Sequence, residues 1–169
     1  MMIGTPTANN IWNGYLLTVF LVVAGFAVYD VLYRRVPDRA LVFFLPLAAL
    51  APLLKVCFVL EHTHIPLLVW PVVSKALVGG LLGFTIPLAA AMATGGGMGG
   101  GDIKICGILG LIYGPSGMAL VFLVAAGLSL PVVLFFKRVC REHRHVSVPF
   151  LPFLACGCSA ATLAQLFLR

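Results

Sequence analysis

Polar and conformationally breaking residues divide this chain into six apolar stretches, at about 11–29, 40–60, 72–92, 103–113, 118–136 and 148–168. None alternates with the period of two that a half-buried strand requires, and most run for about twenty residues. The first, as a helix rising about 1.5 Å per residue, spans roughly 28 Å, close to the hydrocarbon thickness of about 30 Å. The breaks between stretches carry recognisable signals. Pro37-Asp38 opens the second stretch, with Asp38 placed as an N-cap before Arg39-Ala40-Leu41. Pro66 and Pro71 precede the third, and Gly114-Pro115-Ser116-Gly117 separates the fourth from the fifth. The pattern predicts an all-α, polytopic membrane protein with six transmembrane helices, forming a single domain over residues 1–169.

The fourth stretch is too short for the others' pattern. From Asp102 to Gly114 is about 20 Å of helix, against a core of about 30 Å. Either the Gly-Pro-Ser-Gly turn or the preceding glycine loop is drawn into the bilayer. Irregular backbone at that depth is tolerated only where protein buries it or water reaches it. A water-accessible cavity open to the cytoplasm, with Asp102 on its wall, is the expectation.

Composition agrees with the pattern and then sharpens it. Apolar residues make up 62% of the chain and charged residues 9%, with a mean hydropathy of +1.11; a soluble domain carries about 25% charged residues. The net charge of +6 is gathered into two loops, Arg34, Arg35 and Arg39 in one and Lys137, Arg138, Arg141 and Arg144 in the other. That clustering is the signature of cytoplasmic loops rather than of a nucleic-acid surface, so the expected surroundings are the lipid bilayer and not nucleic acid. Residues 1–10 contain no Lys or Arg, which argues for a permanent first helix with its N-terminus outside rather than a cleaved signal. With six crossings the C-terminus is also outside. Lys55, Glu61, His62 and His64 are then expected near the outer surface, and Lys75 to extend outward. Gly79, Gly80 and Gly83 permit close contact between helices.

The five cysteines form no Cys-x-x-Cys pair, and Cys156 and Cys158 fall on different faces of a helix, so they read as small apolar packing residues. His62-x-His64 and His143-x-His145 have no acidic or cysteine partners at ligand spacing. No metal and no cofactor is expected.

Chemistry concentrates at Gly95-Gly96-Gly97-Met98-Gly99-Gly100-Gly101-Asp102-Ile103-Lys104. A carboxylate beside a glycine-rich loop, at the edge of a hydrocarbon phase, is expensive unless it has a task. Asp30 closes the first stretch on the same, cytoplasmic side, so the two carboxylates can meet. Taken singly, Asp30 could be a helix-end residue paired with Arg34 one turn on, and Asp102 an N-cap. Taken together they suit an aspartyl protease, in which one carboxylate takes a proton from water while the other, protonated, polarises a peptide carbonyl. Two carboxylates a few ångströms apart cannot both ionise comfortably and titrate as a pair. The glycines do not suit phosphate: no strand precedes them, Asp102 would repel the ligand, and no Gly-Lys-Ser/Thr follows. They do suit a substrate backbone that must approach closely, which makes Gly99, Gly100 and Gly101 candidate substrate-binding residues beside the catalytic candidates Asp30 and Asp102. Lys104 either eases the charge of the pair or meets lipid headgroups.

These residues resemble the type IV prepilin peptidases, a GxGD-type aspartyl protease family. Asp30-Val-Leu-Tyr-Arg-Arg-Val-Pro-Asp38 resembles that family's first motif, an aspartate followed by basic residues and an aliphatic-Pro-Asn/Asp. Gly99-Gly100-Gly101-Asp102-Ile103-Lys104 is similar to its GxGDxK motif, and Ser147-Val148-Pro149-Phe150-Leu151-Pro152-Phe153 to its final-helix motif. The resemblance implies removal of a short basic leader from prepilin-like proteins at the cytoplasmic face of the inner membrane, after a glycine, with Asp30 and Asp102 as the catalytic pair. Longer members add a cytoplasmic domain with paired Cys-x-x-Cys associated with N-methylation; here the first cytoplasmic loop has only about nine residues. The short form is similar to Flp/Tad-type prepilin or archaeal preflagellin peptidases. Two other classes can be weighed. A transporter or channel would use the same aspartates for protons or cations at a helix break, but no internal repeat is evident. Presenilin-like proteases share GxGD, yet have nine helices and a Pro-Ala-Leu motif that this chain lacks.

Overall fold

A computed structural model describes residues 6–33, 38–63, 67, 69–93, 99–139 and 150–167. Several features read from the sequence lie outside these residues: Arg34, Arg35 and Pro37, His64, Gly95-Gly96-Gly97-Met98, Cys140, Arg141, His143, Arg144, His145, Ser147-Val148-Pro149 and Arg169, together with the side chains of Asp38, His62 and Lys137. The described residues form five helices and no strand: α1 Pro6–Tyr33, α2 Asp38–Thr63, α3 Val69–Ala93, α4 Gly100–Val139 and α5 Leu151–Phe167. Four contain a stretch long and apolar enough to cross a membrane, and α5 is a shorter apolar helix. Large apolar side chains point outward, among them Phe43 at 81% exposure and Trp70 at 74%, as expected where the surrounding solvent is lipid.

Two boundaries differ from the sequence expectation. Helix α1 continues past residue 29, so Asp30 lies within its last turn rather than beyond its end. The fourth and fifth stretches form one continuous element, α4, interrupted at Gly114, whose φ of 70° and ψ of −177° are open to glycine almost alone. Pro115 follows, and without an N–H it cannot continue the ladder. The chain reverses there. In the first arm (100–113), Cys106 interacts with Cys158 and, one to two turns on, Tyr113 shares a hydrogen bond of 2.9 Å with Thr162 Oγ1, so this arm advances along α5 in the same direction. In the second arm, Gly117 sits by Gln165 and Val121 by Gly157, so that arm runs the opposite way.

Helical period explains which faces meet. On α1 the buried positions are Trp12, Tyr15, Leu16, Val19, Val23, Ala27 and Asp30, a stripe repeating every three or four residues. On α2 they are Leu41, Phe44, Ala48 and Ala51. The first arm of α4 is buried almost all round, through Ile105, Cys106, Leu109 and Ile112, because α3, α2 and α5 all pack on it. A helix enclosed in this way forms the centre of the bundle.

Lys55 is half-buried and turns into the bundle. It falls one turn beyond Ala51 on the inward stripe of α2, and its Nζ donates to the Ile112 carbonyl at 2.9 Å. The same ammonium lies 4.8 Å from the centre of the Trp12 ring. The break at Gly114 leaves the last carbonyls of the first arm without helical donors, and a cation there both satisfies one and meets the negative end of the helix dipole.

Candidate active site

Asp30 and Asp102 arrive at the same end of the bundle from opposite directions along the chain. Asp30 is carried in by the α1 stripe: three residues after buried Ala27, it must share that inward face. It is 7% exposed and is the buried charged side chain among the described residues. One turn before it, Phe26 packs edge-on against Phe44 of α2, ring centres 5.6 Å apart. On the outward face of that same end, Tyr29 and Tyr33 stack at 4.5 Å, both exposed.

Asp102 is carried in by the start of α4. The Gly99 carbonyl accepts hydrogen bonds from Asp102 N at 3.1 Å and Ile103 N at 3.4 Å, which makes Gly99 the N-cap and Asp102 the third helical residue. The alternative of Asp102 as N-cap is thereby corrected. A carboxylate in the first turn is favoured by the unpaired N–H groups and the positive end of the helix dipole. The side chain is half-buried and interacts electrostatically with Asp30.

The backbone N–H of Leu151, the first residue of α5, faces the Asp30 carboxylate. Its Oδ2 is buried with no hydrogen-bond partner among the described residues. An unpartnered buried carboxylate oxygen costs several kcal/mol, and beside a second carboxylate it is a place for a proton or a water. The pairing of Asp30 with Arg34 falls on a residue outside those described.

The other predicted site residues occupy different environments. Gly99 and Gly100 are exposed at the mouth of α4, Gly101 is half-buried, and Lys104 is exposed one helical step from buried Ile103. A Cβ on Gly100 would meet nothing within 4 Å, and one on Gly99 would lie 3.6 Å from Asp102 Oδ2. Among the described residues, no three His, Cys, Asp or Glu side chains come together as a metal site. Sequence reasoning missed the Leu151 N–H entirely. The signal available was Phe150-Leu151-Pro152, which marks a helix start but not what that start faces.

The comparisons with known proteins bear on this geometry. The sequence model of the type IV leader peptidase family matches residues 15–134, from the α1 stripe that carries Asp30 through the α4 arm that carries Asp102 and beyond. The chain belongs to the type IV leader peptidase family. It is 33% identical over 141 residues to the prepilin leader peptidase/N-methyltransferase of Bacillus subtilis (strain 168), a match covering 81% of this chain and 50% of the relative. The chain therefore spans about half the length of that curated relative. No solved structure gives a significant match.

Proposed function

We propose that this family member is a membrane aspartyl endopeptidase that removes the short basic leader of prepilin-like proteins, with Asp30 and Asp102 as its catalytic pair. The observation that carries the reading is the meeting of two carboxylates, 72 residues apart in sequence, at one end of an otherwise apolar bundle beside an exposed glycine cap. Water between them loses a proton to one carboxylate and attacks the scissile carbonyl. The other carboxyl, protonated, donates a hydrogen bond to the developing oxyanion, and the leaving amine takes up the transferred proton. Both groups recover their starting states without a covalent intermediate. Gly99, Gly100 and Gly101 offer backbone without side chains, against which an extended leader can lie, and Lys104 stands one turn beyond them.

The reading extends to topology and place. The two arms of α4 act as separate crossings, so the chain crosses the cytoplasmic membrane six times with both termini outside. The pair then opens to the cytoplasm, where a basic leader resides, and cleavage falls after a glycine ahead of the pilin's apolar helix. Purified protein given a synthetic leader-plus-helix substrate should cleave it, and Asp30→Asn and Asp102→Asn should abolish cleavage without loss of membrane insertion. Full processing by Asp102→Asn would end the protease reading. Asp102-dependent ion flux in proteoliposomes, with no peptidase activity, would support a transporter instead.

A further inference from the structure

Helix α1 carries a line of aromatic side chains toward its C-terminal end. Phe26 packs on Phe44 of α2, and Tyr29 and Tyr33 follow at helical spacing, their ring centres 4.5 Å apart and planes tilted by 31°. Both tyrosines are exposed, at 39% and 64%, so the stack presents ring surface outward. Tyr33 ends the helix. It lies three residues beyond Asp30, a rise of about 4.5 Å and a rotation of about 60° around the axis. The stack therefore stands beside the catalytic pair and one turn further out. A peptide running from the pair into the cytoplasm passes it first.

Single tyrosines at a bilayer surface serve as anchors in the headgroup layer. Here the two rings already order each other, so a ligand lying on them need not order them first. A ring face attracts a cation without any carboxylate, and carboxylates are scarce where a leader would lie. Of the five Asp and Glu in the chain, Asp30 and Asp102 form the pair, and Glu61 sits at the opposite end of α2 from Arg39. Asp38 and Glu142 remain, among the Lys and Arg of the two basic loops. The stacked rings are the complementary surface that this end of α1 offers to a positive side chain.

We propose that Tyr29 and Tyr33 form a binding subsite for a Lys or Arg side chain of the substrate's leader, held over the stacked rings while the scissile bond lies at the pair. The proposal rests on the leader-peptidase reading above and adds which residues recognise the leader's charge. The tyrosines bind the leader and take no part in breaking the bond.

The test uses two leader-plus-helix substrates, one with its basic leader and one with norleucine in place of each leader Lys and Arg. Binding is measured in detergent on protein carrying Asp102→Asn, so that the substrate stays whole. With both tyrosines present the basic leader should bind about fivefold or more tightly than the neutral one. Tyr29→Leu with Tyr33→Leu should remove that preference, and Tyr29→Phe with Tyr33→Phe, which keeps the ring faces, should retain it. With Asp102 restored, the two leucines should raise KM for the basic leader about fivefold and leave kcat within about twofold. Both side chains are exposed, so the folded yield should hold. No preference in the tyrosine form overturns the proposal. So does a preference that survives the leucines, as it would if the rings served as membrane anchors or were covered by the chain's own Arg34 or Arg35. An equal loss of binding for both leaders also overturns it, because that is apolar contact and not recognition of charge. Full cleavage by Asp102→Asn would instead remove the catalytic pair, a different failure, and the leader preference is then read from kcat/KM.

Discussion

Glycine does opposite things in two regions of this molecule. Along the seam between α3 and the first arm of α4, it is the fold that needs glycine. A Cβ on Gly110 would run into the Gly79 carbonyl, one on Gly79 would lie 2.6 Å from Gly114 Cα, and one on Gly83 would strike the Cys106 carbonyl. Two backbones touch there, which is how helices associate where lipid gives no hydrophobic drive. At the α4 N-cap the fold makes no such demand. Gly99 and Gly100 are exposed, neither has a positive φ, and side chains there would meet open space or ordinary contact. The same residue is structural where it is buried and dispensable to the fold where it is exposed. What glycine leaves free at the cap is room for a backbone from another chain, as the proposed reaction requires.

Gly110→Val should break the seam with the largest effect. Its branches have no space against α3 backbone, and neither helix can withdraw without opening the core around Ile105 and Leu109. Overpacking of side chains costs about 1–3 kcal/mol, and here rigid backbone must give way, so the expected outcome is loss of folded protein in detergent. A folded yield and thermal midpoint equal to wild type would show that the seam is looser than these contacts. Gly100→Val is the counterpart at the cap. Its thermal midpoint should stay near that of wild type, while cleavage falls about tenfold or more through crowding of the substrate backbone. Equal cleavage would make the cap glycines a mere tether.

A smaller effect is expected at the far end of the same arm. Lys55→Met removes the donor to the Ile112 carbonyl at the Gly114 break. Leaving that carbonyl unsatisfied costs about 1–3 kcal/mol, read as a lower thermal midpoint. Ile112 lies ten residues, about 15 Å of helix, from Asp102, so cleavage per folded molecule should not change. A loss of cleavage at unchanged stability would mean that the break communicates with the catalytic end.

Much of this was legible in the sequence, and what was not has a physical reason. The helical stretches follow from hydropathy, whereas the inward direction of Asp30 needs the buried positions Val23 and Ala27, which only the structure identifies. The shortness of the fourth stretch and the Gly-Pro-Ser-Gly signal marked the reversal that Gly114 makes. The charge of Lys55 pointed to the outer surface but not to its inward turn: it continues Phe44, Ala48 and Ala51 at helical spacing, and a broken helix end supplies the acceptor that lets an ammonium turn inward. That the Leu151 N–H faces Asp30 could not be read at all. Every residue carries the same backbone N–H, and which one faces a distant carboxylate is decided by how α5 seats against α1.

The smallest effect belongs to a glycine in neither region. Gly14 lies on the exposed face of α1, its φ is not positive, and a Cβ there meets nothing within 4 Å. No backbone crosses it, as one does at Gly110, and it lies four helical turns from Asp30 on a different face, so no substrate reaches it. Gly14→Ala should therefore leave cleavage unchanged and raise stability by about 0.5–1 kcal/mol, because alanine has less conformational freedom to lose on forming a helix. A rise in thermal midpoint of a few degrees or less in detergent is the expected reading. A fall would mean that something packs closely on this face, and that contact of backbones at glycine extends beyond the α3–α4 seam.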